Sequence, residues 1–587
     1  MITSINISWN NEFRYDGLLY FMQRIVEMLD FTTIDIYRAP LMNTTRLIDE
    51  YLEICHGSIK HYHREECYNE FVSTFRSDII LQTKIGDARI AQIIDRMNKQ
   101  QNKRTETMEF LHHAINPQYF KWTKEYILEI VPQNREKKKI ERAIRCFLPE
   151  LLRRGYSRDD IYHSAKELLS HCTNPDEALS IFISQFDLQK KSFNVYFNIS
   201  NNMLIFKNIL EKRLGLVFED DGNFHKMETI KGFFLAKKSN VEALDASKAA
   251  NDAYDLIELF TSFYQYFGNY SKSLIKKKVL VIPEADDPEK IMYIKRVQYK
   301  SYEDKDPPKI GELAEAMITN LIQYAKYTLP QLNKIVKLHN RAIANNGLEN
   351  GFLNLWSIME MICVTDQDKS KIEQVKTIAI PVIKRDYFPS VFQDICANLK
   401  DLLNDEQYNN MLTLVSKGNS DYEKIAYLIL LPEYSEKFDE FVDVLVNYPV
   451  LRARMLELHD NNKTRNDLNN VANHYEQRIT WHLYRIYRAR NSIIHQGKRP
   501  RDLKDLGEHL HSYVDSLVNE VIFKLGIGTL YNISNVIVDL ELQQEVENDY
   551  FAQKEIIDED CIKKLITHSI TMLDEISDQR DNDTIEE

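Results

Sequence analysis

The sequence predicts a mainly α protein with one small mixed α/β segment between an N-terminal helical region and a C-terminal helical bundle. Three observations lead there. Glycine and proline are scarce, 16 and 15 in 587 residues, and scarce chain breakers favour helices over a loop-rich β architecture. Apolar residues recur at three- and four-residue steps along most of the chain. Only the span 191–300 abandons that period for alternation. A chain of this length exceeds what one hydrophobic core supports, so several domains are expected.

The N-terminal region, 1–190, earns its assignment from LIDEYLEICHGSIKHYHREECYNEFVSTF and KKKIERAIRCFLPELLRRG, both with helical apolar spacing. Ser157 precedes RDDIYHSAKELLSHC as a helix N-cap should, with acids close behind it. In 191–308, SFNVYFNIS alternates and is rich in Phe, Val and Tyr, as a strand should be. KGFFLAKKSNVEALD reads as a second strand leading into the helix ASKAANDAYDLIELFTSFYQYF, and KKKVLVIPEA and KIMYIKRVQYKS complete the segment. The polar stretch SYEDKDPPKIG, with Pro-Pro and a closing Gly, marks a domain boundary. Helical periodicity returns over 311–570, and the acidic end, residues 576–587, predicts a disordered tail.

Composition excludes several classes. Mean hydropathy is -0.42, and no apolar run approaches the ~20 residues that span a bilayer. The N-terminus lacks a basic flank and an apolar signal core, so a cytoplasmic location without membrane association is expected. Seven scattered cysteines with no C-x-x-C fit a reducing compartment. The net charge of -13 argues against a protein that coats nucleic acid, while leaving room for a local basic site. P-loop, dinucleotide-binding, nucleophile-elbow and H-E-x-x-H motifs are absent.

The charge reverses in QRITWHLYRIYRARNSIIHQGKRPR, residues 477–501. This window holds Arg478, Arg485, Arg488, Arg490, Lys498, Arg499 and Arg501 and no acid, so phosphate is its natural complement. On a helix, Asn491 and His495 are four apart and share a face, and the long Arg490 side chain can reach the same place. His exchanges protons near neutral pH, and Arg offers a rigid fork of donors to phosphoryl oxygens as charge develops. With the ribose 2′-OH as internal nucleophile, such a set cleaves RNA without a metal. Arg-x4-His is by itself a weak pattern, of which chance supplies about one match in a chain like this. Arg158…His163 and Arg454…His459 also match, but neither has the Asn and both lie beside acids, so they read as helix surface or packing positions.

Arg490-Asn491-x-x-x-His495 resembles the RX4-6H motif of HEPN domains. LYRIYRARNSIIHQGK is similar to the helix that enters that motif, and LKDLGEHLHSYVDSLVNEVIFKLG to the long amphipathic helix after it. Upstream, HNRAIANNGLENGFLNLWSIMEMICV resembles the second-helix signature of Apea-like HEPN proteins, at Phe352, Trp356 and Glu360. The resemblance covers roughly 311–560. It implies a HEPN helical bundle, endoribonuclease activity without cofactors, a site composed across a homodimer or higher even oligomer, and an effector role in anti-phage defence. In that picture the first 300 residues sense a trigger, phage-derived in kind, or restrain activity. The expected catalytic residues are Arg490, Asn491 and His495, with Glu360 in support, either orienting Arg490, tuning His495 or serving as a structural ion-pair partner. Arg485, Arg488, Lys498, Arg499 and Arg501 are the expected RNA contacts, and Trp481 and Tyr487 are expected in the core. A second reading keeps the bundle but makes it a non-catalytic scaffold for dimerisation or RNA docking.

Two other features invite chemistry. Cys55, His56, His61, His63 and Cys67 crowd one segment, but their spacing matches no zinc finger or ribbon, so an amphipathic helix is the better reading and no metal is expected. The basic runs REKKKIERAIR and LIKKKVLVI read as solvated faces.

Overall fold

The computed structural model describes residues 15–30, 42–56, 61–171, 174–219, 223–224, 227–228, 230–268, 274–284, 290–293, 328–344, 347–366, 368–500, 502–526 and 532–566. The chain is mainly α, with a five-stranded antiparallel sheet and a two-stranded ribbon in the middle.

The N-terminal unit is formed by α1 (Asp16–Leu29), α2 (Thr44–His56), α3 (His61–Ser77), α4 (Ile79–Lys84), α5 (Asp87–Lys99), α6 (Arg104–Ile130), α7 (Lys137–Arg154), α8 (Arg158–His171) and α9 (Pro175–Ser184). Their apolar stripes meet in one core around Phe21, Phe71, Phe75, Tyr119 and Phe147, all excluded from solvent. α7 ends where Gly155 adopts φ 107, a left-handed conformation that favours glycine.

The middle unit contains β1 (Lys191–Ser200), α10 (Lys207–Leu214), β2 (Leu216–Glu219), β3 (Asn223–Phe224), β4 (Met227–Glu228), β5 (Phe233–Ala243), α11 (Ala246–Gly268), β6 (Ile275–Pro283) and β7 (Lys290–Tyr293). The main sheet runs β2-β5-β1-β6-β7 with every neighbouring pair antiparallel. β1 is central, which explains why Val195, Phe197 and Ile199 on one face and Tyr196 on the other are all buried. α11 covers the face that carries Val195 and Phe197.

The C-terminal half has two cores where the periodicity suggested a single bundle. One unites α12 (Leu329–Ala344), α13 (Leu348–Cys363) and α14 (Lys371–Arg385) with later helices. The other gathers α15 (Tyr387–Leu402), α16 (Asp405–Thr413), α17 (Asp421–Leu430), α18 (Ser435–Val442) and α19 (Pro449–Asn461). α20 (Arg465–Gln496) joins them: Leu468 near its start lies in the second core, while Tyr475, Ile479, Leu483 and Ile486 lie in the first. α21 (Leu503–Gly526) and α22 (Ile533–Phe551) complete the first core, and α23 (Glu559–Ile566) completes the second. The expected boundary at 301–311 and the acidic tail at 576–587 lie outside the described residues.

Ionic contacts tie the N-terminal unit to the C-terminal half. Arg46 pairs with Asp502, Arg454 with Glu27, and Arg158 lies 3.6 Å from both Asp505 and Glu508. Arg454 also reaches Asp394 at 3.0 Å, and His459 is buried between Ser435 Oγ and the Ile429 carbonyl. His163 is exposed, with Nδ1 2.6 Å from the Asp159 carbonyl of its own helix. Both alternative Arg-x4-His matches are therefore packing or surface positions. No described helix is long and apolar enough to cross a membrane.

Candidate functional site

α20 is defined at both ends by local chemistry. Thr464 and Asp467 form a reciprocal capping box at its start. Gly497 ends it at φ 60, with the Lys498 N–H turned back onto the Ser492 carbonyl at 3.3 Å. The helix passes through the motif, so Asn491 and His495 do share a face. The last turn rises out of the core: Ala489 is buried, Arg490 and Asn491 are half-buried, and His495, Gln496 and Lys498 are exposed.

Arg490 is held from two sides. Its Nη1 donates to Asn491 Oδ1 at 3.0 Å, and its Nη2 lies 3.5 Å from Glu360 Oε1. Glu360 is itself fixed by α13 and α14: Trp356 Nε1 donates to Oε1 at 2.8 Å, and Lys371 Nζ to Oε2 at 3.2 Å. Trp356 is buried, and its ring centroid lies 5.4 Å from that of half-buried Tyr487. The aromatic pair backs the carboxylate, so Glu360 is anchored before it meets Arg490. The guanidinium is thus oriented by one hydrogen bond, to Asn491, and by the charge of Glu360 alongside it. Ser357, between Trp356 and Glu360, is exposed, and Asn354 and Glu360 are half-buried, so the polar stripe of α13 follows the edge of the bundle. Lys371, eleven positions after Glu360, was not apparent as part of this set from the sequence.

The expected RNA contacts divide. Lys498 is exposed. Arg499 is half exposed and lies 3.6 Å from Glu349 and 4.0 Å from Asp255 of the middle unit. Arg501 lies outside the described residues. Arg485 and Arg488 require a correction, because neither is presented to solvent. Arg485 Nε donates to both carboxylate oxygens of Glu50 at 3.0 Å, and its Nη2 reaches Glu70 at 2.6 Å. Arg488 pairs with Glu50 as well. The window that is acid-free in sequence is thus countered in space by acids from α2 and α3. Trp481 is buried, as expected of a core aromatic.

Two carboxylates share these two guanidiniums unequally. Burial raises the Glu50 carboxyl, but Arg485 and Arg488 together outweigh burial and hold it down at about 2. Glu70 is pushed up, first by burial and then by the charge of Glu50, because it has Arg485 alone as a close partner.

In the Cys/His segment, Cys55 and His56 close α2 and His61, His63 and Cys67 lie in α3, while residues 57–60 lie outside the described residues. His56 is exposed and faces Glu109 at 3.7 Å, Cys67 is buried in the core, and the His61 and His63 side chains lie outside the description. In the basic runs, Lys137 pairs with Asp16 at 2.6 Å and Arg145 with Glu141 at 2.7 Å. Lys276 stacks over Phe233 at 4.4 Å.

Two clefts lie away from the motif. One is lined by Glu66, Asn69, Glu476 and Trp481 between α3 and α20, the other by Pro381, Phe388, Leu468 and Phe551 between the two C-terminal cores. No protein-family model matches the chain, and neither does any curated protein or solved structure.

Proposed function

We propose that the chain is a HEPN-type endoribonuclease that cleaves RNA by attack of the ribose 2′-OH, without a metal in the chemistry. The observation that carries this reading is Arg490, oriented by Glu360 and Asn491, five residues before an exposed His495 on the same helix. In the reaction the 2′-oxygen forms a bond to phosphorus and the 5′-oxygen leaves. His495 takes the 2′ proton or delivers one to the leaving oxygen, and Arg490 donates to the phosphoryl oxygens as negative charge builds. Glu360 and Asn491 are positioning residues that keep the guanidinium from swinging into solvent. Lys498 and Arg499 extend the positive surface along the phosphate backbone.

One chain supplies a single His495, whereas the reaction benefits from both a base and an acid. A homodimer or higher even oligomer with paired α20 ends supplies both. The placement of the motif at an exposed helix end rather than in either cleft suits a site completed by a second copy. The anti-phage effector role and a phage-derived trigger rest on the resemblance. Regulation by the first 300 residues has a physical basis in the Glu50 and Glu70 contacts to α20.

One observation favours the second reading, a non-catalytic RNA-docking or dimerisation bundle: the same Glu360 pair braces Arg490 against the fold. Turnover separates the two. Purified full-length chain and an Arg490→Ala/His495→Ala variant are incubated with mixed RNA. Cleavage by the wild type alone supports the enzyme, equal cleavage by both assigns it to something else, and binding without cleavage supports docking.

A further inference from the structure

A second constellation stands on the helix after the motif. His511 and Asp515 are four apart on α21 and share a face, and His339 approaches them from α12. His339 Nε2 lies 2.8 Å from His511 Nε2 and 2.8 Å from Asp515 Oδ1, and His511 Nε2 lies 3.3 Å from Asp515 Oδ2. His511 is fully buried, Asp515 nearly so, and His339 is the half-buried member that leaves an access route from solvent.

Hydrogen bonding alone does not satisfy this triangle while Asp515 is ionised. A neutral imidazole carries one N–H, so each Nε2 is either a donor or an acceptor. If both nitrogens donate to Asp515, two N–H groups face each other across the 2.8 Å His–His edge. If only one donates, the lone pair of the other nitrogen faces a carboxylate oxygen. The three contacts are not all met at once: at best one ring N–H is shared between Asp515 Oδ1 and the other ring, and the His511–Asp515 Oδ2 contact at 3.3 Å is left without a proton. A cation at the centre makes all three edges favourable at once.

The dimensions fit such an ion. Ligand bonds of ~2.0–2.1 Å place adjacent ligands ~2.9 Å apart in octahedral and ~3.4 Å apart in tetrahedral coordination. The observed edges of 2.8 to 3.3 Å lie close to that range. Two imidazoles with one carboxylate select a divalent transition metal over calcium or magnesium, and three protein ligands leave a coordination position for water.

We infer that His339, His511 and Asp515 form a binding site for one divalent transition-metal ion, of the zinc or iron(II) class, linking α12 to α21. The site lies on neither Arg490 nor His495, and it makes no demand on the RNA chemistry. Its effect is on the bundle: α12 packs on α13, which carries Glu360, and α13 packs on α21. An ion that joins α12 to α21 raises the stability of this layer of the bundle.

The test uses the full chain, stripped with chelator and titrated with Zn²⁺ and with Co²⁺. One ion bound per chain, visible cobalt d–d absorption and a higher melting temperature with zinc are expected. Asp515→Asn, which keeps the shape of the side chain, should lose all three while remaining folded by circular dichroism. His339→Gln, at the half-buried position, gives the same readout if Asp515→Asn does not fold. Absence of stoichiometric binding by the wild type, or unchanged binding in both variants, overturns the inference. None of these readouts depends on RNA cleavage, so the proposed ribonuclease can fail independently.

Discussion

Arg485→Met is the most informative single perturbation of the fold. It leaves Glu50 and Glu70 buried together with only Arg488 to answer them. Removing one partner of a buried ion pair costs about 3–5 kcal/mol, because the remaining charge stays desolvated. Glu70 already holds its proton more tightly than an ordinary carboxyl and can neutralise, which places the expected loss near the lower end, ~3 kcal/mol. For a cooperative unit of ~150–250 residues that corresponds to roughly 6–12 °C in melting temperature. The assay is calorimetry of the full chain, with hydrogen exchange on α20 to localise the change. The quadruple variant Arg485→Met/Arg488→Met/Glu50→Leu/Glu70→Leu, which removes every charge of the cluster including the Arg488 that pairs with Glu50, should recover most of the loss, since apolar replacement of a buried ionic cluster is often neutral. pH adds an internal check. The depressed Glu50 carboxyl contributes stability that is fully present above about pH 5 and is lost as pH falls toward about 2. Arg485→Met should flatten that acid limb. A loss under ~1 kcal/mol, or a quadruple variant as unstable as the single one, would refute the idea that this cluster fastens the N-terminal unit to α20.

Cleavage should persist in EDTA, yield a 2′,3′-cyclic phosphate and fail on 2′-deoxy substrate; ready cutting of DNA contradicts 2′-OH attack. Mixing wild type with excess His495→Ala chains under subunit exchange should depress activity below simple dilution, and unchanged activity per wild-type chain means that each chain cuts alone. Glu508, pushed up to about 8 mainly by burial and then by Asp505, keeps its proton in the folded chain over a range where the unfolded chain releases it. Stability should therefore fall as pH rises from about 4 to 8, and Glu508→Gln should be more stable than wild type by roughly 4 kcal/mol at pH 8, with no difference near pH 4 in denaturant titrations. Gly497→Ala has open space around the new methyl group, so its cost is that of the left-handed backbone alone, about 1 kcal/mol by the same titrations.

The sequence was most legible where one period dominates. Alternation in SFNVYFNIS located the central strand, and the helical steps around Arg490 located the last turns of α20. β2, only Leu216–Glu219, is too short to show a period against its surroundings. The two C-terminal cores were not legible either, because periodicity identifies the buried face of a helix but not what it is buried against. Leu468 and Leu483 belong to one apolar face of α20 and to different cores. The same limit explains the Arg485 assignment: Glu50 and Glu70 lie 435 and 415 positions away along the chain, far outside any local window of charge. Glu360 was recoverable because Trp356 and Glu360 sit four apart on one helix and Arg490 is the charge expected to meet them. Two of the three residues of the His339–His511–Asp515 cluster lie within HLHSYVD, whereas His339, 172 positions earlier, carries no local signal.

α20 also has a mechanical consequence. Its 32 residues make a rod about 48 Å long, with its first turns in the second C-terminal core, its middle in the first and its last turn exposed, and with Arg485 gripped along its length. His495 stands ten residues beyond that grip, about 15 Å along the axis. A tilt of about 5° about Arg485 swings the imidazole by about 1.3 Å, on the scale at which misplacement of a reacting group costs about a hundredfold in rate. Glu50 and Glu70 therefore act at a fulcrum: a small displacement of the N-terminal unit arrives at the motif as a lever stroke, with no residue of that unit needing to touch it.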